Sequence, residues 1–251
     1  MTGIALSLLA HPDDAEFLCA GTLIRLLRDR RWQIHIATMT PGDCGSAELP
    51  PEEIARLRRA EGASAAGQIG ASYHCLEERD LVVCYNEPAL EKVVRLIRLV
   101  RPTMVFTHSP ADYMLDHEMT SVLARAACFG APAPNLFRDR GHAPPLERVP
   151  HLYYCDPLEG KDIFGKGLLP DFGIDISKVI ADKTAMLAAH ASQRGWLLKH
   201  HGIDQYLDTM HAWSARRGQL FNTQFAEGFR QHLGHGYPQS NLLGELLGKL
   251  S

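Results

Sequence analysis

Apolar runs and helix-like spacings alternate along the first 130 residues of the chain. Each short apolar run is followed by a longer stretch in which apolar residues recur every three or four positions. The predicted strands cover residues 4–10, 32–40, 72–77 and 103–108, and helices are predicted at 15–30, 51–70 and 87–101. This strand–helix alternation predicts an α/β fold, with a mostly parallel sheet flanked by helices on both faces.

The second half of the chain continues the same domain. A proline-rich, irregular stretch at residues 131–150 leads to two further predicted strands at 151–156 and 172–177. Helices are predicted from about Lys178 to the end, as a C-terminal helical extension. Since no flexible linker interrupts the chain, residues 1–251 are interpreted as a single domain.

Composition and charge exclude several classes of partner. The 251 residues carry a formal net charge of -3, which gives no basic footprint for nucleic acid. No apolar stretch approaches the roughly 20 residues that a membrane span requires. The six cysteines lie far apart, without a CxxC pair, as is typical of buried thiols in a reducing compartment. We therefore expect a cytoplasmic protein that acts on a small-molecule substrate.

Polar clusters follow each of the four N-terminal strands. They are "HPDD" (11–14), "TPGDCGS" (40–46), "ERD" (78–80) and "HSPADYMLDH" (108–117). In open α/β sheets the ligand site lies beyond the carboxyl ends of the strands, so these four clusters are expected to meet at one edge.

Two of these clusters carry the residue types of a metal site. His11 and Asp14 lie three positions apart where a strand gives way to a helix, and His117 with Asp116 beside it offers a third ligand. Asp13 would then be free to act as a general base. The alternative interpretation is a plain turn in which an Asp caps the helix. The second His/Asp cluster, at the end of another strand, favours the metal site.

"AHPDDAEF" together with the downstream pattern PxDxxxDH resembles the LmbE/PIG-L family of zinc-dependent N-deacetylases. The resemblance implies a Rossmann-like fold, Zn²⁺ on His11, Asp14 and His117, and Asp13 as the base that activates a metal-bound water. It further implies that Asp116 orients His117. Arg58 falls at the place of a substrate-anchoring arginine, with a surface arginine as the alternative interpretation. Family members also suggest a homo-oligomer, a trimer or a hexamer.

One residue departs from the family pattern. Met114 stands where the family carries an inner histidine that stabilises the oxyanion or protonates the leaving amine. A thioether can do neither. Adjacent Tyr113 is one candidate replacement, and the others are His108, His151, His190, His235 and Tyr237. Loop residues Asp43 and Glu48, with Arg79 and Asp80, are candidates to line the substrate pocket.

Three functions follow from these residues. The leading hypothesis is a zinc-dependent hydrolase that removes an N-acyl group, most simply N-acetyl, from an amino sugar or its conjugate. The alternative is a metal-dependent hydratase of an unsaturated dicarboxylic acid, because 4-oxalomesaconate hydratase has a similar fold and Met114 removes a family proton donor. A third hypothesis is a metal-binding scaffold without activity, against which the retained Asp13 argues.

Overall fold

The computed structural model describes residues 2–141, 143–193 and 205–251. The strands are β1 (Ile4–Leu9), β2 (Gln33–Thr38), β3 (Ser72–Cys75), β4 (Met104–Thr107), β5 (His151–Cys155), β6 (Phe172–Asp175) and β7 (Ala226–Gln231). The helices are α1 (Asp14–Leu18), α2 (Ala20–Arg30), α3 (Pro51–Gln68), α4 (Glu87–Val100), α5 (Leu115–Gly130), α6 (Ile180–Ala188), α7 (Gln205–Leu220) and α8 (Leu242–Leu247).

The described strands form one seven-stranded sheet in the order β3-β2-β1-β4-β5-β7-β6. The first five strands of that order are parallel, whereas β7 runs antiparallel to both of its neighbours. The predicted fold class, a mostly parallel sheet flanked by helices, is confirmed. The prediction of helices alone after Lys178 was wrong at β7, which returns from the C-terminal helices into the sheet.

The central strand β1 is buried on both faces. Leu6 and Leu8 pack into the apolar layer that holds α4 and α5, while Ala5 and Leu9 pack into the opposite layer with α2. Burial on both faces explains why this strand appears in the sequence as a nearly continuous apolar run. It also fixes the carboxyl end of β1, where the HPDD cluster begins.

The helix predicted after β1 is broken in two. Cys19 leaves the helical conformation with φ -146° and ψ 0°, and α2 starts afresh. The side-chain oxygens of Glu227 on β7 accept the N–H groups of Gly21 and Thr22, which begin α2. Glu227 is itself paired with the buried Lys183 ammonium at 2.7 Å. The break therefore depends on residues about 200 positions away, which local periodicity does not reveal.

Other expectations are met in part. All six cysteines are free, and Cys19, Cys128 and Cys155 are buried, whereas Cys44 and Cys84 are exposed. None of the helices built from residues 2–141, 143–193 and 205–251 combines the length and apolar content that a bilayer crossing requires. Residues 194–204 of the predicted C-terminal helices lie outside the described residues.

Candidate metal centre and active site

The candidate site lies at the carboxyl edge of the sheet. His11 follows β1 directly, and Asp13 precedes α1 with a left-handed φ of 104°. His117 lies in the first turn of α5, which follows β4 after a short loop. Left-handed backbone is costly for a residue with a side chain, so the surrounding contacts must hold Asp13 in this conformation.

Three ligand atoms converge where the sequence predicts a metal. His11 Nδ1 lies 3.3 Å from His117 Nε2. The carboxylate of Asp14 lies 3.3 Å from His11 Nδ1 through Oδ2 and 3.6 Å from His117 Nε2 through Oδ1. The three side chains are among the described groups whose geometry could hold a metal ion, and all three are largely buried.

In both histidines, the ring nitrogen that faces away from the other histidine (the outer nitrogen) is in contact with a carboxylate. His11 Nε2 lies 3.0 Å from Asp80 Oδ1 and 3.4 Å from Asp116 Oδ2. His117 Nδ1 lies 3.0 Å from Asp112 Oδ1. The prediction that Asp116 orients His117 was therefore wrong. Neighbouring side chains diverge on a helix, so Asp116 turns to His11, and the partner of His117 comes from the loop before α5.

These contacts define what fits between the two histidines. When the outer nitrogens donate to carboxylates, His11 Nδ1 and His117 Nε2 present lone pairs to each other and cannot hydrogen-bond without an added cation. Asp14 adds an anionic oxygen to the same space. Two imidazole nitrogens and one carboxylate, with room for a further ligand, suit a catalytic divalent ion such as Zn²⁺.

His108 supports Asp14 from the buried side. Its ring stacks on His117 at 3.8 Å between centroids, and its Nε2 lies 3.1 Å from Asp14 Oδ2. Burial lowers the pKa of His108 to about 4. Burial alone would raise the pKa of the Asp14 carboxyl, yet the charges of His117, His108 and His11 hold that pKa well below its usual range. Asp14 is thus kept ionised, as a metal ligand must be.

Asp13 lies beside this group and is anchored through one oxygen. Its Oδ2 accepts hydrogen bonds from Tyr206 Oη at 2.6 Å and from Arg58 Nη2 at 3.3 Å. Oδ1 accepts no hydrogen bond from the described residues, which leaves it available to take a proton. Burial raises the pKa of Asp13 against the opposing charge of Arg58. A raised carboxylate pKa suits a general base.

A cavity of about 190 Å³ opens onto these groups. Its walls consist of carboxylate, imidazole, phenol and apolar side chains, namely Asp13, Asp14, Phe17, Leu18, Tyr113, His117, Leu158 and Tyr206. Tyr113 stands at the rim, 59% exposed, with its ring edge-on to His117 at 5.4 Å. Among the described residues that form the wall there is no arginine or lysine.

The predicted substrate residues lie outside this wall. Arg58 is buried behind Asp13, where it also donates to the Pro12 carbonyl at 2.8 Å, so it is not a surface arginine. Asp43 accepts the Asp80 N–H at 2.8 Å and so helps to hold the loop that carries Asp80. Glu48 is exposed in the loop before α3. A role in substrate binding stays a prediction for all three residues.

Several candidates for the missing donor are placed elsewhere. His151 begins β5 and so lies at the amino edge of the sheet, away from the cavity. His190 is fully buried, with Nε2 3.5 Å from Glu16 Oε2. The hydroxyl of Tyr237 donates to the Arg125 carbonyl at 2.6 Å. None of these three residues belongs to the described wall of the cavity.

Sequence reasoning assigned no role to Asp112 or Tyr206. Asp112 is the first aspartate of PxDxxxDH. Its position in the same motif as His117, five residues before it, could have indicated a contact between the two side chains. Tyr206 lies 193 positions from the aspartate it contacts. No local pattern marks it.

The Asp112–His117 contact leads to a first prediction. Replacing Asp112 with Asn removes the charge that fixes the tautomer of His117, so we expect the affinity for Zn²⁺ to fall about 10–100-fold. Competition with a chromophoric chelator measures this. Asp182→Asn, which removes a carboxylate bound to Arg28 on the surface, serves as the control. Equal affinities in Asp112→Asn and wild-type protein would contradict the assignment.

The fold and the site together define an α/β enzyme whose His and Asp groups could hold a metal ion. Residues 6–128 match the model of the family described as PIG-L: GlcNAc-PI de-N-acetylase, so the chain carries a PIG-L (LmbE-like) family domain.

Known relatives include both hydratases and deacetylases. A 4-oxalmesaconate hydratase of Pseudomonas putida KT2440 is 27% identical over 199 residues, which cover 75% of this chain and 73% of that protein. The crystal structure of a 4-carboxy-2-hydroxymuconate hydratase from the same organism matches with a TM-score of 0.76 at 22% identity, over 96% of this chain and 100% of that one. The N,N'-diacetylchitobiose deacetylase of Pyrococcus horikoshii matches with a TM-score of 0.77 at 22% identity, over 96% of this chain and 88% of that one.

Proposed function

We propose that the protein is a zinc-dependent hydrolase that removes an N-acyl group, most simply N-acetyl, from an amino sugar or its conjugate. The observation that carries the proposal is the placement of Asp13, anchored through Oδ2, on the wall of the same cavity that Asp14 and His117 line. The family description and the deacetylase among the structural neighbours support the same chemistry.

The residues of the candidate site have different roles in amide hydrolysis. Asp13 takes a proton from the attacking water through Oδ1, while Arg58 and Tyr206 keep its carboxylate in place. A divalent ion held by His11, Asp14 and His117 would supply Lewis acidity toward the acyl oxygen when bound. The apolar side chains of the wall, Phe17, Leu18 and Leu158, lower the local polarity and so strengthen these electrostatic interactions.

The charge of the cavity favours a neutral reacting group. Asp13 and Asp14 are the charged carboxylates of the described wall, and its other members are imidazole, phenol or apolar groups. An uncharged amide can enter such a site without electrostatic repulsion from the two carboxylates. A dicarboxylate would meet two carboxylates, and apart from the divalent ion there is no arginine or lysine among the described residues of the wall to pair with its second charge.

A hydratase of an unsaturated dicarboxylic acid is the second candidate. Two observations favour it: Met114 removes the donor that family deacetylases carry, and a curated relative at 27% identity is a hydratase. Adding water to a double bond releases no amine, so that reaction has no need of a donor for a leaving amine.

One assay separates the two candidates. Zinc-loaded protein is incubated with N-acetylated amino sugars and, separately, with unsaturated dicarboxylic acids, and products are identified by mass spectrometry. We expect acetate and free amine from the first set, and neither product with Asp13→Asn. Water addition to an acid with every acetyl group intact would replace the proposal by the second candidate. Inactivity toward both sets would exclude both.

Two broader expectations stay predictions. Family resemblance suggests a homo-oligomer, a trimer or hexamer, which sedimentation of the purified protein tests directly. The scattered free cysteines suggest the cytoplasm, where thiols stay reduced.

A further inference from the structure

The deacetylase proposed above lacks an assigned acid for its leaving amine. Met114 begins α5 where the family carries the inner histidine, and its thioether donates no proton. His108 cannot take over, because it is fully buried outside the wall of the cavity and its Nε2 lies between the Ala10 N–H at 3.0 Å and Asp14 Oδ2 at 3.1 Å. Among the residues that the structure describes, the remaining candidates are the groups on the wall of the cavity.

Tyr206 has the position and the contacts of such a donor. It lines the cavity together with Asp13, Asp14 and His117, yet it is only 6% exposed. Its ring is held edge-on against Phe17 at 5.2 Å between centroids. Its hydroxyl already donates to Asp13 Oδ2 at 2.6 Å, which is a short, charge-assisted hydrogen bond.

The hydrogen bond from Tyr206 to Asp13 places a second group that can carry a proton next to the proposed general base. Burial and the charge of Asp13 raise the pKa of Tyr206, so the phenol holds its proton until a stronger acceptor develops. The nitrogen of a breaking C–N bond is such an acceptor. Tyr113, the other phenol of the wall, is mostly exposed at the rim and packs edge-on against His117.

We propose that Tyr206 is a catalytic residue, the acid that takes the place of the missing inner histidine. Asp13 removes one proton from water as the new C–O bond forms. As the C–N bond breaks, the Tyr206 hydroxyl gives its proton to the amine nitrogen; the phenolate oxygen then regains a proton, and Asp13 Oδ1 loses one, by exchange through water. The sum is transfer of one proton from water to the amine, with both side chains restored. The proposal rests on the proposed function.

Two substrates with different leaving groups test it. An N-acetyl amine needs a proton on its leaving nitrogen, whereas 4-nitrophenyl acetate releases an acidic phenol that needs none. For Tyr206→Phe we expect kcat on the amide to fall about 100-fold with KM nearly unchanged, and kcat on the ester to stay within about threefold. Tyr237→Phe, which removes a buried phenol far from the cavity, is the matched control.

Each outcome has a distinct meaning. Equal losses on amide and ester would mean that Tyr206 only positions Asp13, and unchanged amide turnover would likewise overturn the proposal. An amide-selective loss in Tyr113→Phe instead would assign the acid to the rim. Wild-type zinc content and melting temperature in Tyr206→Phe exclude a misfolded protein. If wild-type protein cleaves the ester but no amide of the panel, the proposed function itself fails.

Discussion

The Asp13→Asn variant is expected to hydrolyse its substrate about 10²–10⁴ times more slowly than the wild-type protein. Asparagine keeps the shape of the side chain and tolerates the left-handed backbone at this position. It cannot accept the proton of the attacking water. The rate constant kcat, measured on the amide found in the panel, should therefore carry most of the loss.

Metal content and melting temperature provide the controls for Asp13→Asn. Asp13 contacts Arg58 and Tyr206 and is not one of the three metal ligands, so zinc bound per chain should equal that of the wild type. Turnover within about tenfold of the wild type would contradict the role of Asp13 as the general base. A loss of zinc would show instead that the carboxylate supports the metal group.

Removal of the metal is expected to abolish activity and to lower the stability of the fold. Without the metal, the Asp14 carboxylate and the facing nitrogens of His11 and His117 remain buried together without the ion that would bind all three. An ion at about 1,000 times its dissociation constant stabilises the native state by about 4 kcal/mol, or roughly 10 °C in Tm for a chain of this size. Thermal melts with zinc added to chelator-treated protein measure the shift.

His117→Ala is the matched variant for the metal. It removes one of the three ligands, so its melting temperature should respond little to zinc and its activity should not return. A zinc-dependent rise as large as that of the wild type would place the ion elsewhere. The Asp43–Cys44–Asp80 group, of which Cys44 is exposed and Asp80 is buried, is the first alternative to examine, because its geometry could also hold a metal.

The parallel half of the sheet could be predicted from the sequence because each element there is local. Residues 4–10 and 103–108 are apolar runs bounded by turns, and burial on both faces requires that pattern. Strand β7 gives no such signal, since Ala226–Gln231 combines a glycine, two charged residues and one aromatic residue. Its buried Glu227 is tolerated only through Lys183 and the start of α2.

The same distinction holds at the site. His11, Asp14 and His117 come from two short motifs, and the ends of adjacent strands bring such motifs together. The neighbours of these residues are set by tertiary structure. Asp116 is next to His117 in sequence but faces His11, whereas Tyr206 reaches Asp13 from the far end of the chain. Residue type thus predicted which three side chains lie together but not their supporting contacts.

Asp116 contacts both His11 and the loop that carries Leu81 and Val83, and so links the site to that loop. Its carboxylate lies beside His11 Nε2 and also accepts the backbone N–H groups of Leu81 at 2.7 Å and Val83 at 3.2 Å. Leu81 has a left-handed φ of 66°, and its side chain is exposed to solvent. The deuterium exchange rates of these two amides therefore give a readout of how firmly His11 is held, without any substrate.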